Sequence, residues 1–271
     1  MYSYSRISTF LQCPKKYEFT YIQNLPKQMN NALIKGSKVH SILENIDTFI
    51  KYKKTQKNTT LMDSHNTTLV KNSKLLNTFE NPEYSSIVEN FIKSPLGELL
   101  KYPNSREVEI FLDKDFNPTL KDKYFIGYID RVNFTNAGIE IIDFKTGRYK
   151  DTKYQDFNQL GLYGIYVMKK YNLNKVKLRY VYVEHSKENT LEIDIPFTNE
   201  LTQKYKNIIN ELENTKEFKK CVTRLCDYCD FKDKCFGNQN TTKVEISNTS
   251  KLDSNNINIL ETLNNTEYTS F

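Results

Sequence analysis

The stretch GYIDRVNFTNAGIEIIDFKTG, Gly127 to Gly147, decides how the rest of the chain is read. GYIDRVNF and IEIIDF are rich in Ile, Val, Tyr and Phe, and Thr135-Asn136-Ala137-Gly138 supplies turn residues between them, so the segment is expected to be a β-hairpin. A hairpin closing symmetrically about that turn sets Asp130 opposite Asp143. Directly opposed side chains lie about 4.5–5.5 Å apart, and like charges at that distance destabilise a sheet. Side chains alternate across a strand, so Lys145 joins Asp143 on its face. Two carboxylates and one ammonium are thereby expected to converge, and something must neutralise the acids.

Working outward, a strand REVEIFL (106–112) precedes the hairpin. YQDFNQLGLYGIYVMKKY (154–171) spaces its apolar residues like a largely buried helix. VKLRYVYVEH and TLEIDIPF read as two further strands, and NELTQKYKNIINELEN as an amphipathic helix. At the front, SYSRISTFLQC offers Ser3 or Ser5 as a helix cap, and Pro14 biases Cys13 out of helical geometry. ALIKGSKVHSILENIDTFI carries a helical period through Val39, Ile42, Leu43, Ile46 and Phe49. Residues 52–73 read as a polar insertion, and short helices are expected within 84–101. This order predicts a mixed α/β domain: a central mixed sheet of about five strands flanked by helices. Residues 1–237 are expected to form one domain, and 238–271, rich in Asn, Thr and Ser, a disordered tail.

Composition sets outer limits. With 271 residues, 38% hydrophobic and 27% charged, the chain has the balance of a soluble globular protein, expected to work inside a cell. No stretch approaches the roughly 20 apolar residues of a membrane span, and MYSYSRISTFLQ lacks the apolar core of a secretory signal. The net charge is +6. From Phe236 onward Lys243 and Lys251 stand against Glu245, Asp253, Glu261 and Glu267, so the body carries the surplus, which suits a polyanionic partner.

Hard divalent cations such as Mg²⁺ or Mn²⁺ take one or two carboxylates, with water filling the remaining positions. Asp130 and Asp143 supply such a pair, and the Phe144 carbonyl a third oxygen. Lys145 would aim at the attacking water or at the phosphate. The plain alternative is a set of surface acids balanced by Arg131 and Lys145, and D-x-K alone is a weak signal. Glu107 and Glu109 share a face of the preceding strand; Glu109 could approach the metal, though an exposed acid is the simpler reading.

Four cysteines crowd CVTRLCDYCDFKDKCFG: Cys221, Cys226, Cys229 and Cys235. Cys226, Cys229 and Cys235 form C-x2-C-x5-C, which points to a metal site. Zinc or a [4Fe–4S] cluster needs a fourth ligand, from Cys13 or Cys221.

Taken together, SYSRISTFLQCPKKYEF, GSKVHSILE, GYIDRV, IIDFKTG, QLGLY and the cysteine cluster resemble the PD-(D/E)XK nuclease superfamily, in its RecB/AddB-like branch, which includes the iron–sulfur CRISPR-adaptation exonucleases. The resemblance spans roughly Tyr4 to Cys235. One departure is Ile129 where the superfamily's name has proline. The resemblance implies a restriction-endonuclease-like core and a phosphodiester hydrolase acting on DNA, as an exonuclease on single-stranded or free ends in recombination, repair or phage-type processing. It implies Asp130 and Asp143 as metal-binding acids, Lys145 as the catalytic lysine, and His40 as a further metal ligand reaching from a helix, with Gly36 one turn before it. Gln159 and Tyr163, spaced i, i+4, are implied beside the site, where they position the phosphate backbone. Cys13, Cys226, Cys229 and Cys235 are implied as [4Fe–4S] ligands in preference to zinc, leaving Cys221 a spare thiol.

A non-catalytic DNA-end-binding module and a zinc-stapled interaction protein compete with the nuclease. No G-x-x-x-x-G-K-[ST] loop occurs, so unwinding would come from a helicase or recombination partner.

Overall fold

The structure, a computed structural model, describes residues 1–27, 30–58 and 73–237. Residues 59–72 of the expected insertion and the 238–271 tail fall outside the described residues. The chain divides into two compact units, Met1–Phe231 and Lys232–Phe271. The described part of the second holds the short helix α9 (Lys232–Phe236).

The first unit is built on five strands: β1 (Asn104–Leu112), β2 (Phe125–Thr135), β3 (Gly138–Lys145), β4 (Lys175–Tyr182) and β5 (Lys187–Asp194). They lie in chain order, with β3 and β4 parallel and every other neighbouring pair antiparallel. A parallel pair needs a crossover, and helix α7 (Asn158–Tyr171) provides it. The β2–β3 ladder pairs Thr135 with Gly138 and Arg131 with Ile142, the register expected from the symmetric turn.

Both faces of the sheet are buried, which explains why IEIIDF is a near-continuous apolar run. Ile141 packs with α7 and with α8 (Ile195–Asn214), through Leu160, Leu162, Leu201 and Ile209. Ile142 and Phe144 pack on the other face against α3 (Asn31–Glu44), α4 (Ile46–Asn58), α5 (Ser73–Glu80) and α6 (Pro82–Lys93), through Val39, Ile42, Phe49, Phe79 and Phe91. A 3-10 helix, Pro95–Lys101, leads from α6 into β1. The mixed five-stranded sheet flanked by helices is therefore as read from the sequence.

Several boundaries differ. The expected helix over 32–50 is two helices with Asn45 between them, and helical structure runs on to Asn58 inside what read as insertion. TLEIDIPF is not strand to its end: α8 begins at Ile195, because the Asp194 carboxylate accepts from Phe197 N (3.1 Å) and Pro196 suits a first helical turn. Apolar alternation through Leu191, Ile193 and Ile195 had masked that start. Helix α7 begins at Asn158 rather than 154. At the N-terminus, Ser3 caps α1 (Tyr4–Gln12), and extended Cys13 separates it from α2 (Pro14–Tyr17).

Candidate active site

Asp130 stands where β2 loses its partners on both sides. The β1–β2 ladder skips only the Glu107/Asp130 step, where Glu107 has φ +46°, and the β2–β3 ladder stops at Arg131↔Ile142, one step short of Asp130 and Asp143. A non-glycine residue in that region stores on the order of 1 kcal/mol of strain. The Asp130 carboxylate replaces the missing ladder bond by accepting from Phe144 N (2.8 Å). This bond holds the acid against the end of β3, where Asp143 lies 6% exposed.

Two acids held this way are costly to ionise together. Burial first, and then Asp143, pushes the Asp130 carboxyl up to about 8; the Phe144 N–H opposes the shift and Glu107 adds to it. Lys145 Nζ lies 2.7 Å from Asp143 Oδ2, an ion-pair contact lacking hydrogen-bond geometry, so that buried oxygen keeps no hydrogen-bond donor. Lys145 Nζ also sits 4.8 Å from the Tyr180 ring centre and 3.5 Å from Gln159 Oε1, a weak bond at most. Gln159 Nε2 donates to the Tyr163 hydroxyl (3.2 Å), so the i, i+4 pair meets beside the acids.

His40 reaches the same place from α3. Its Nδ1 is 3.4 Å from Asp130 Oδ2. Burial lowers its pKa, against the opposing pull of Asp143 and a hydrogen bond with the Phe144 backbone, which favours the neutral imidazole a metal requires. Gly36, one turn earlier, faces Thr146 just past β3: a Cβ there would lie 3.1 Å from Thr146 Oγ1. Gly127 serves Tyr163 in the same way, since a Cβ would come within 2.5 Å of that ring.

His40, Asp130, Asp143 and the Phe144 backbone therefore gather at one end of the sheet. They do not form a closed cage: among the described residues, no group of three or more His, Cys, Asp or Glu side chains is arranged to hold a metal ion. The donor chemistry still fits a hard cation, because Mg²⁺ uses one or two carboxylates and keeps several waters. The orphaned Asp143 oxygen and the raised Asp130 carboxyl are what a bound cation would relieve.

Glu109 accepts from the exposed Tyr128 hydroxyl (2.9 Å). Glu107 is the acid of that strand that acts on Asp130. Its positive φ breaks the alternation that made the two acids look equivalent. Tyr4 was missed: its hydroxyl donates to Asp156 (3.2 Å), and Tyr163 and Asp143 are close enough to raise its pKa further. The signal was its place in SYSRI, which was read for a helix start and for the resemblance but not for a side chain near the acids.

Among the cysteines, Cys221 N donates to Cys13 Sγ (3.4 Å) and Thr223 N to Cys226 Sγ (3.4 Å). The Cys221 thiol, set aside as spare, is pushed up by burial and then by Cys13 and Cys226. The described cysteines form no ligand group of three or more, so the iron–sulfur expectation gains no support from the geometry.

The sequence model of the PD-(D/E)XK nuclease superfamily matches residues 1–236. No curated protein matches the chain. A solved structure described as "Crystal structure of SSO0001" is 14% identical and covers 71% of this chain and 96% of its own, with a TM-score of 0.32.

Proposed function

The chain belongs to the PD-(D/E)XK nuclease superfamily, a superfamily of metal-dependent phosphodiester hydrolases, and from that premise we propose that it is a Mg²⁺- or Mn²⁺-dependent deoxyribonuclease acting as an exonuclease on single-stranded DNA. The observation that carries the reading is the meeting of Asp130 and Asp143 at a ladder break, with the Lys145 ammonium 2.7 Å from Asp143. Asp130, Asp143, the Phe144 carbonyl and His40 would hold the cation. When bound, it would lower the pKa of a water and stabilise charge on the phosphoryl oxygens. Lys145, beside Asp143 and Gln159, would direct its ammonium at the attacking water or a non-bridging oxygen, with Gln159 orienting it. Tyr163, packed on Gly127, fixes Gln159 and offers its hydroxyl to the backbone of the strand.

End-labelled single-stranded DNA with Mg²⁺ or Mn²⁺ tests this. Asp143→Asn and Lys145→Ala are expected to lower turnover by at least about 10²-fold, as removal of positioned proton-transfer and charge-stabilising groups does. Full activity in either variant, or tight binding without turnover by the wild type in both metals, overturns the assignment.

The [4Fe–4S] cluster is proposed on sequence spacing and resemblance, with Cys13, Cys226, Cys229 and Cys235 as ligands and zinc as the lesser alternative. Iron, sulfide and zinc analysis after anaerobic purification distinguishes the two. A helicase or recombination complex as partner, an intracellular site of action and a role in recombination, repair or phage DNA processing belong to the same proposal.

A further inference from the structure

The segment 146–157 leaves the site at Lys145 and returns to it at Gln159, so both of its ends are anchored in the proposed machinery. Its middle is pinned from below by Asn189 of β5, which is 1% exposed. Asn189 Oδ1 accepts from the Tyr149 hydroxyl (3.1 Å) and from Thr152 Oγ1 (2.8 Å), and its Nδ2 donates to Lys150 O (2.9 Å). The Tyr149 ring stands edge-on to Tyr182, centroids 5.0 Å apart, and the Tyr182 hydroxyl donates to Gln155. Tyr182 is the β4 partner of Lys145. A buried asparagine spending its oxygen twice and its amide once on a surface segment fixes the shape of that segment.

The polar residues of the segment are sorted by sign. Asp151 accepts from Lys153 N (3.1 Å), and Asp156 accepts from Asn158 N (2.7 Å) and from the distant Tyr4 hydroxyl, so both carboxylates, though exposed, are engaged in hydrogen bonds. Arg148, Lys150 and Lys153 are exposed. Tyr154 is 71% exposed, with Lys153 Nζ 4.8 Å from its ring centre. Folding therefore spends binding groups to hold a large aromatic ring in water, a placement that core packing does not account for. Tyr154 lies five positions before Gln159, which confines it to within about 17 Å of the site.

We propose that 146–157 is the substrate clamp of this enzyme: an unpaired base stacks on Tyr154 while Arg148, Lys150 and Lys153 hold the phosphates beside it. The clamp deepens the proposed nuclease reading and rests on it for the identity of the strand. Stacking on a rigid aromatic residue is open to any base with a free face, whereas bases inside a duplex are already stacked on their neighbours. The clamp thus selects unpaired DNA without reading its sequence.

Equilibrium binding separates this from catalysis. In the inactive Lys145→Ala chain, fluorescence anisotropy is measured with a labelled oligothymidylate and with a blunt duplex of the same length. Adding Tyr154→Ala is expected to weaken single-strand binding about tenfold, within the range for one stacked base. Tyr154→Phe restores it, and duplex binding changes less than about twofold. Replacing Arg148, Lys150 and Lys153 together by Ala should flatten the dependence of log K on log salt by about 2, as for three phosphate contacts on a single strand. Unchanged single-strand affinity in Tyr154→Ala, an equal loss on duplex, or no binding of the oligothymidylate by the parent chain overturns the clamp. The Tyr154→Ala effect on binding, together with a wild type that hydrolyses nothing, overturns the nuclease reading and leaves the clamp standing.

Discussion

Asp130 shows how a single side chain can stand in for sheet structure. Its carboxylate satisfies Phe144 N where the ladder has stopped, so the strand keeps its hydrogen bond while the backbone is free to distort. The opposition of Asp130 to Asp143 was legible because register about a short turn is a local property of the hairpin. The left-handed Glu107 was not, since nothing in REVEIFL marks it; the distortion arises from what β2 must do opposite it. Gly127 is a sharper case of a neighbour's demand. Gly127→Ala places a methyl 2.5 Å from the Tyr163 ring, so the ring and its bond to Gln159 must shift. The expected result is a stability loss of about 1–3 kcal/mol, typical of overpacking, together with lower turnover. Urea melts and the strand assay measure both, and a variant with full turnover means that Tyr163 does not hold Gln159.

Elements here are joined through buried polar groups at their ends. Arg131 and Asn133, neighbours on one side of β2, are fully buried and hold the end of the 3-10 helix that precedes β1. Arg131 Nη2 donates to Leu100 O (2.9 Å), Asn133 Nδ2 to Leu99 O (2.9 Å), and Arg131 Nε to Asn133 Oδ1 (2.7 Å). Those carbonyls are left without intrahelical donors by the helix itself. Asn133→Leu removes the acceptor of a buried guanidinium, and an unsatisfied charged donor costs more than an ordinary lost bond. A loss of about 3 kcal/mol in ΔG of unfolding, with an unchanged m-value, is expected from urea denaturation. A change below about 0.5 kcal/mol would mean that Arg131 finds another acceptor. Boundaries such as Asp194–Pro196 were readable from capping chemistry, but alternating apolar residues spoke for strand more loudly.

At the scale of the molecule, burial on both faces of the sheet governs the response to alkali. Tyr163, 5% exposed, has its phenol pushed up to about 12, chiefly by burial, and Tyr4, Tyr180 and Tyr205 shift in the same direction for the same first cause. A phenol with a raised folded-state pKa contributes stability that is fully present below its unfolded value near pH 10 and is lost as pH climbs through the folded value. The loss for Tyr163 is about 1.4 kcal/mol per pH unit between about 10 and 12. Absorbance titration at 295 nm should show a class of tyrosines that ionise only with the unfolding transition above about pH 10. If all nineteen tyrosines titrate together near pH 10 in the folded chain, these phenols are open to solvent.

What the chain determines by itself is whatever depends on near neighbours: the strands and their order, the hairpin register, the D-x-K spacing, and the i, i+4 pairing of Gln159 with Tyr163. These follow from side-chain alternation, turn chemistry and helix period, each acting over a few residues. Tertiary structure alone decided the ladder break at Asp130, the approach of His40 across Gly36, the entry of Tyr4 and Glu107 into the site, and the hold of Asn189 on the loop beside Lys145. Each of these joins residues distant in the chain, through burial and hydrogen bonds that exist only once the helical layers have closed on the sheet.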